Sequence, residues 1–489
     1  MRESAPIDYS QTLACDVAIA GAGLGGLAAG AILARAGKRV VVVDKPPWIG
    51  SRAGSVPYRD YWIDGGHRDG RDTADLQAHL PYGSQAAKQA GTALRIAPVR
   101  HGLRIHLVSE EPGGPSRVTG EVEWGVEGFA RMAVEGYGCP PEALDAFTET
   151  LRRLSAIQGA EREAAMGRSL GDWLAAEVAD PVVRHVVLNM VKSIYAEFPE
   201  RASLARLIDM LAIFSGRPDD DAGSGFADDD EMGGMGGLVA PFARALEAHG
   251  GRIILEHEPA HVTFEGDRAT GLVALSVNHF VLRIRAQQTI VAYPVWDALE
   301  MLPPERRDPG LVEISRRVED HAGSGIGWVA GLSRMPTPRS SGKVEDYDGW
   351  NRLLVGPERT FSGGFHFPSL GSRRIAPEGK HLLHCFIMRW TGRGEERSWD
   401  ELEATLARAK SYLHEFYGDL EDCREWDADQ YIRWPAMTGW YWAPVERHPV
   451  RVPGCENLYI ASATVESGTG PADISAHGGL QAAQAILGE

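Results

Sequence analysis

An α/β fold organised around a Rossmann-type nucleotide unit is what three features of the chain predict. The stretch DVAIAGAGLGGLAAG, residues 16–30, reads strand, glycine loop, helix. A second buried run, RVVVV at 39–43, leads straight into the carboxylate of Asp44. At the far end, NLYIASATVESGTGPADISAHGGLQAAQAIL again reads strand, glycine loop, helix.

The glycine loop comes first in the argument. Val17, Ala18, Ile19 and Ala20 form a short buried strand, and Gly21, Gly23 and Gly26 follow at GxGxxG spacing. Gly21 permits the tight turn, Gly23 lets the backbone approach a pyrophosphate, and Gly26 allows close helix–strand packing. The helix Leu24 to Arg35 then presents unpaired N–H groups and its positive dipole end to the anion. Asp44 lies 18 residues after Gly26, close to the spacing of an acid that binds a ribose hydroxyl. A lone GxGxxG is weak, but here it stands in the order strand, loop, helix, strand, acid, which predicts a bound dinucleotide.

Composition bounds the alternatives. A chain of 489 residues predicts two or three domains, and 44% hydrophobic with 24% charged residues is ordinary for a large globular core. A formal charge of −17 argues against nucleic acid or an anionic membrane surface as main partner. Cys15, Cys139, Cys385, Cys423 and Cys455 are odd in number and form no CxxC pair, which points to a reducing compartment without disulfides or a zinc site. The uncharged run 17–34 is glycine-rich and belongs to the nucleotide motif, so no integral membrane segment is expected. Glu3, Asp8 and Asp16 argue against a signal peptide, and the expected location is cytoplasmic.

Further along, residues 1–15 read as a loose leader, and 75–215 as mostly helical, VEGFARMAVEGY and LGDWLAAEVADPVVRHVVLNMVKSIYAEF carrying apolar residues at three- and four-residue spacing. The acidic stretch PDDDAGSGFADDDE, 218–231, lacks EF-hand spacing and reads as a solvated, mobile loop. Leu238, Phe242 and Leu246 lie one turn apart on a helix that Gly250–Gly251 ends, and a strand begins at Arg252. Short strands follow near 261–264, 271–276, 280–285 and 288–293, and 295–440 is mixed and Trp-rich. The expected division is 1–74, 232–294 and 441–489 for the nucleotide-binding domain, with 75–231 and 295–440 forming a second, α+β domain.

Five stretches in order, AGAGLGGLAAG, VVVVDKPPWIGSRAGS, YWIDGGH, EMGGMGGLVAPFARALEAHGGRI and the C-terminal NLYIASATVESGTG segment, resemble the FAD-containing amine oxidase and phytoene desaturase superfamily. APEGKHLL, 376–383, resembles the phytoene desaturase branch. The resemblance is weak across 75–215. It implies a glutathione reductase-like FAD-binding fold, with FAD as cofactor. Its implied contacts are Gly21, Gly23, Leu24, Gly25, Gly26, Asp44, Lys45, Arg52, Gly66, His67, Pro259, Ala463, Gly470, Asp473 and Ile474. Three departures stand out: Ser51 replaces a glycine before Arg52, Ser462-Ala463 replaces Gly-Asp, and Pro259 falls where a backbone N–H would pair with adenine. A small residue in place of the aspartate is similar to bacterial carotenoid desaturases. No second GxGxxG exists, since GGMGG at 233–237 and GSGIG at 323–327 have the wrong spacing, so a resident NAD(P)H domain is not expected.

The resemblance implies an FAD-dependent oxidoreductase that dehydrogenates or isomerises carbon–carbon bonds of a hydrophobic small molecule. Flavin amine oxidation, a non-redox isomerase or hydratase, and a protein that keeps FAD only as structure are the alternatives. The electron acceptor, whether oxygen, a quinone or another compound, is not read, nor is the oligomeric state. Peripheral membrane contact is compatible with a lipophilic substrate. His67, Tyr441 and His477 are the candidates for work beside the flavin. His67 either transfers a proton or hydrogen-bonds the cofactor. Asp473 either serves the cofactor or caps the last helix. Trp434, Trp440, Tyr441 and Trp442 either line a pocket or fill the core. The lysine of many amine oxidases has no counterpart in 295–330.

Overall fold

The computed structural model of the chain describes residues 7–64, 81–122, 125–194, 198–214, 225–321, 323–356, 361–389, 398–437, 443–445, 447–465 and 471–488. Its nucleotide-binding core is a five-stranded parallel sheet in the spatial order Arg252–Ile254, Val40–Val43, Val17–Ala20, Gln288–Val291, Leu458–Ile460. All-parallel strands must be buried on both faces, which is why VAIA and VVVV are unbroken apolar runs. Side chains alternate between the faces. Val17, Ile19, Val40 and Val42 meet the helices Leu24–Arg35, Gly236–Ala248 and Pro471–Leu487. Ala18, Ala20, Val41 and Val43 meet the antiparallel meander His257–Glu265, Arg268–Ser276 and Val281–Arg285.

The helix expected around Leu238, Phe242 and Leu246 runs Gly236–Ala248, with all three side chains fully buried, each contributing roughly 1.5–3 kcal/mol. The strand expected at 252 also forms. The leader is a different matter. Leu13–Ala14 pairs in parallel with Val281–Arg285, and Tyr9 stacks between His257 and Phe280, so residues 7–15 are a built edge of the meander rather than a loose arm.

The second large sheet has seven strands, in the order Arg424–Met437, Gly323–Leu332, His381–Arg389, Phe361–His366, Trp350–Val355, Leu103–Val108, Arg117–Val118. Helix Trp399–Phe416, opened by a Ser398/Glu401 capping box, covers one face. The expectation of a mostly helical 75–215 holds over most of its described residues and fails between Ile96 and Val118, where three strands form. Helices do occupy Val126–Glu135, Leu144–Ala156, Leu170–Glu177, Pro181–Ile194 and Leu204–Phe214. The stretch LRIHLV, by contrast, is a strand, because its partner Trp350–Val355 stands some 250 residues away and supplies the hydrogen bonds that a local pattern cannot reveal.

The acidic loop is corrected as well where it is described. Gly225–Ala227 pairs with Ile96–Pro98. Asp228 bonds Arg373, Asp229 is buried against Arg244, and Asp230 bridges Arg95 and Arg373. These acids interlock separate elements. All five cysteines are buried free thiols. Among the described residues no helix is long and apolar enough to cross a membrane, and no cluster of His, Cys, Asp or Glu is placed to hold a metal ion.

A buried polar group ties the large sheet to its helix. His106 Nδ1 accepts from Tyr412 Oη at 2.7 Å while Nε2 donates to Asn351 Oδ1 at 3.1 Å, and the ring packs edge-on against Phe365 and Phe416. Burial holds this imidazole neutral, pushing its pKa down to about 3. Tyr412→Phe strands Nδ1 without a donor and is expected to cost about 1–3 kcal/mol, read as a lower urea midpoint at unchanged slope.

Candidate functional site

The cleft at the carboxyl edge of the parallel sheet is built by close approaches that only glycine permits. Gly21 turns at φ +105° and donates to Val43 O at 2.7 Å. A Cβ on Gly26 would stand 2.0 Å from Gly21 O. A Cβ on Gly25 would stand 2.3 Å from Ala461 O, and one on Gly479 2.3 Å from Gly25 O. Helices Leu24–Arg35 and Pro471–Leu487 thus touch backbone to backbone.

Gly23 is different. It is the N-cap of Leu24–Arg35, brings no side chain to the first-turn N–H groups, and a Cβ there would have nothing nearer than Ser51 Oγ at 4.0 Å. Open space in front of a helix N-terminus suits a pyrophosphate. Gly23, Leu24, Ser51, Arg52, Asp297 and Ala463 are among the residues lining this cavity. Arg52 is partly buried there, and desolvation lowers its pKa while the charge of Asp297 opposes that shift. Partial desolvation in turn pushes the exposed Asp297 up to about 6, with Arg52 pulling the other way. A partly buried cation, an open helix end and a glycine cradle fit the diphosphate of a dinucleotide. Those residues would hold it.

Asp44 is 1% exposed at the end of its strand. Its carboxylate accepts from Ala22 N, Lys45 N, Ser51 Oγ and Tyr293 Oη. Burial and the Asp44 charge raise the Tyr293 pKa well above the usual phenol range. Lys45 turns outward to an exposed ion pair with Glu258. Pro259 sits beside a bulge in an outer strand of the meander, where a missing N–H breaks no ladder. No N–H is offered at this point.

Asp64, of the YWIDGGH stretch, is buried beneath the helix Gly236–Ala248. It accepts from Ser55 Oγ at 2.6 Å and Met235 N at 2.9 Å, and Ser55 Oγ accepts from Gly236 N at 2.7 Å. The GGMGG stretch is thus a capped helix start.

At the C-terminal segment, Ser462-Ala463 is supported by a hydroxyl chain. His448 Nδ1 donates to Pro449 O, so Nε2 accepts from Thr464 Oγ1 at 2.9 Å. Thr464 Oγ1 in turn accepts from Val295 N and Ser462 Oγ. Burial keeps His448 neutral, its pKa pushed down to about 4.

Asp473 is buried, and its Oδ1 accepts from Tyr82 N at 3.1 Å and Gly83 N at 2.9 Å. It therefore caps the helix Pro81–Ala90 across the interface. His477, one turn on, stacks on Tyr82 at 3.6 Å between ring centroids, and Ile474 is fully buried. The structure brings Gly23, Leu24, Gly25, Arg52 and Ala463 to one cleft, with Gly21 and Gly26 in the turn behind it and Asp44 bonded to Ser51 and Tyr293 of its lining. Gly66, His67, Tyr441 and Gly470 lie outside the described residues, as do Glu466, Trp440 and Trp442. Sequence reading missed Tyr293, Asp297 and Gly479; the signal for the first two is the AYPVWD turn directly after a buried strand.

Comparison with known proteins agrees with this cleft. The profile of the NAD(P)-binding Rossmann-like domain matches residues 19–83, and that of the flavin containing amine oxidoreductase family matches residues 104–487. A search of curated protein sequences gives no match. Among solved structures, an oxidoreductase from Methanosarcina mazei aligns over 97% of this chain and 100% of its own at 14% identity and TM-score 0.65. Putrescine oxidase bound to putrescine aligns over 98% and 100% at 17% identity and TM-score 0.62. Cyclohexylamine oxidase from Brevibacterium oxydans IH-35A aligns over 97% and 99% at 17% identity and TM-score 0.60. At such identities the likeness is one of fold.

Gly25→Ala forces a methyl group into the Ala461 carbonyl. It is expected to cost about 1–3 kcal/mol and to release flavin on gel filtration that the unmodified chain retains. The raised Asp297 pKa gives a pH signature. Its stabilising protonated form is fully present below the unfolded value near 4 and is lost as pH rises through about 6. Asp297→Asn lacks that loss. The stability of this variant relative to the parent should rise between pH 4 and 7, by no more than about 1 kcal/mol in paired denaturation curves, because Asp297 is exposed enough for solvent to screen it.

Proposed function

The chain belongs to the flavin containing amine oxidoreductase family, whose profile spans most of it, and from that membership we propose the reaction its geometry supports best. It is an FAD-dependent oxidoreductase. We read the finer activity as dehydrogenation or isomerisation of a carbon–carbon bond in a small molecule whose apolar body carries a polar group. The division into nucleotide-binding segments 1–74, 232–294 and 441–489 and substrate segments 75–231 and 295–440 is part of this proposal. So is the set of cofactor contacts named from the sequence.

One observation carries the substrate reading. In the seven-stranded sheet, Arg352 pairs with Gly364, and His366 with His384, which puts Arg352, His366, His384 and Phe386 on one face. The opposite face, with Leu353, Phe365 and Cys385, is packed under helix Trp399–Phe416. The polar face is turned toward the nucleotide-binding half, because its lower end, Val329, Leu382 and Trp426, packs on Tyr61 and Ile63 of the hairpin that leads to Asp64. Arg352 is 1% exposed and the two histidines 2%, their rings 5.2 Å apart. A wall of this kind suits a substrate that presents a polar or anionic group better than a bare hydrocarbon chain.

Bound FAD supplies acceptance of a hydride from carbon. The protein's share is to orient that carbon, exclude water and hold the proton that leaves with it. Ser462-Ala463 and the lack of lysine in 295–330 favour carbon–carbon chemistry. Amine oxidation is the second reading, favoured by the family and by likeness to putrescine and cyclohexylamine oxidases.

The test is anaerobic mixing of the purified flavoprotein with three panels: amines, saturated carbon acids with their esters, and isolated alkenes. Bleaching of the flavin band by the second panel, with the alkene product recovered, is expected. Bleaching by amines, with peroxide on admitting air, would establish the second reading. A shifted double bond seen only after dithionite reduction would assign a non-redox isomerase.

A further inference from the structure

Asp44 carries an arrangement that the cofactor reading does not absorb. A carboxylate offers about four lone-pair positions, two on each oxygen. Oδ2 accepts from Ala22 N at 2.7 Å and Ser51 Oγ at 3.1 Å. Oδ1 accepts from Lys45 N at 2.9 Å and Tyr293 Oη at 2.7 Å. All four positions are filled. The two backbone donors are fixed by the chain, one by the glycine loop and the other by the residue that follows Asp44. The remaining two donors are side-chain hydroxyls, one on each oxygen, and both Ser51 and Tyr293 line the cofactor cavity.

A ribose 2′,3′-diol binds a carboxylate in this same pattern, one O–H to each oxygen. We propose that the hydroxyls of Tyr293 and Ser51 occupy the seat of the adenosine ribose, and that FAD binding exchanges them for the ribose diol. The inference rests on Asp44 being the ribose acid. It makes Tyr293 and Ser51 determinants of cofactor affinity. The exchange replaces two charge-assisted hydrogen bonds by two others, so the ribose contributes little net affinity, and the displaced phenol must find a new partner in a half-buried site. Backbone geometry supports a dedicated role for Ser51. It stands at φ +48°, a left-handed conformation uncommon for a residue with a side chain, directly after Gly50 at φ +96°. That pair of residues aims the serine hydroxyl at Asp44.

The experiment compares FAD with an FAD analogue lacking the two adenosine ribose hydroxyls. Both are titrated by fluorescence into the full chain stripped of flavin, as the parent and as Tyr293→Phe. The phenylalanine variant is expected to bind FAD on the order of tenfold more tightly. Its affinity for the analogue should stay at the parent value. Ser51→Gly, which also relieves the positive φ, should shift FAD affinity in the same direction. If the parent discriminates FAD from the analogue and neither variant tightens FAD, the seat is not self-occupied and the proposal falls, while Asp44 stands as the ribose acid. If no protein distinguishes the two flavins, the ribose role of Asp44 falls with it. Weaker FAD binding by Tyr293→Phe at an unchanged melting temperature would make Tyr293 a holder of the cofactor, and would also overturn the proposal.

Discussion

The architecture depends on how closely the helix Leu24–Arg35 is approached from every side. A methyl on Gly26 would collide with the turn below it, one on Gly25 with the carbonyls of Ala461 and Ser475, and one on Gly30 with Leu246. Each contact joins this helix to a different part of the chain: the first strand, the C-terminal segment, and the helix Gly236–Ala248. Steric exclusion here is all-or-none, because the atoms in the way are mostly backbone carbonyls that cannot rotate aside. The cofactor cleft is the space left over once those three approaches are satisfied.

Carboxylates do the complementary work of tying these parts together through backbone N–H groups. Asp44 gathers the glycine loop and the turn after the fourth strand of the parallel sheet; Asp64 starts one helix and Asp473 starts another, each from a distant segment. In all three cases the acid is buried and accepts from amides that a helix or turn leaves unmet, so its desolvation is offset by groups that also need partners. This explains why an acidic chain places charge inside. It also separates two roles that one motif letter can hide, since an aspartate beside a cofactor site holds protein together as well.

Legibility in the sequence followed the range of the forces involved. The helix Leu24–Arg35, the strands around it and the meander after Arg252 were readable because turn chemistry and apolar runs are local signals. The strand Leu103–Val108 was not, since its hydrogen-bond partner comes from the second half of the chain. Asp228 to Asp230 read as a solvated run because nothing nearby shows that Arg95, Arg244 and Arg373 converge on them. At the site, the glycines and Arg52 were visible from motif order, whereas the ownership of Asp473 by another helix needed the fold. Tyr293 carried only the weak signal of a turn after a buried strand; its hydroxyl reaches Asp44 because that strand lies two places from Val40–Val43 in the parallel sheet.

The order of strands in the parallel sheet also has a consequence for how the protein is made. Its central strand, Val17–Ala20, emerges from the ribosome well ahead of the strand that flanks it, Gln288–Val291, and of that strand's own neighbour, Leu458–Ile460. The apolar faces of the first βαβ unit therefore wait, uncovered, through the translation of several hundred residues, at a rate of about 5–20 residues per second. For tens of seconds the nascent chain carries half a nucleotide fold with an open sheet edge. Such an edge is where chaperones bind and where misassembly begins. The large inserted sheet, whose strands Trp350–Val355, Phe361–His366 and His381–Arg389 are neighbours in sequence as well as in space, can form before the last parallel strand is made.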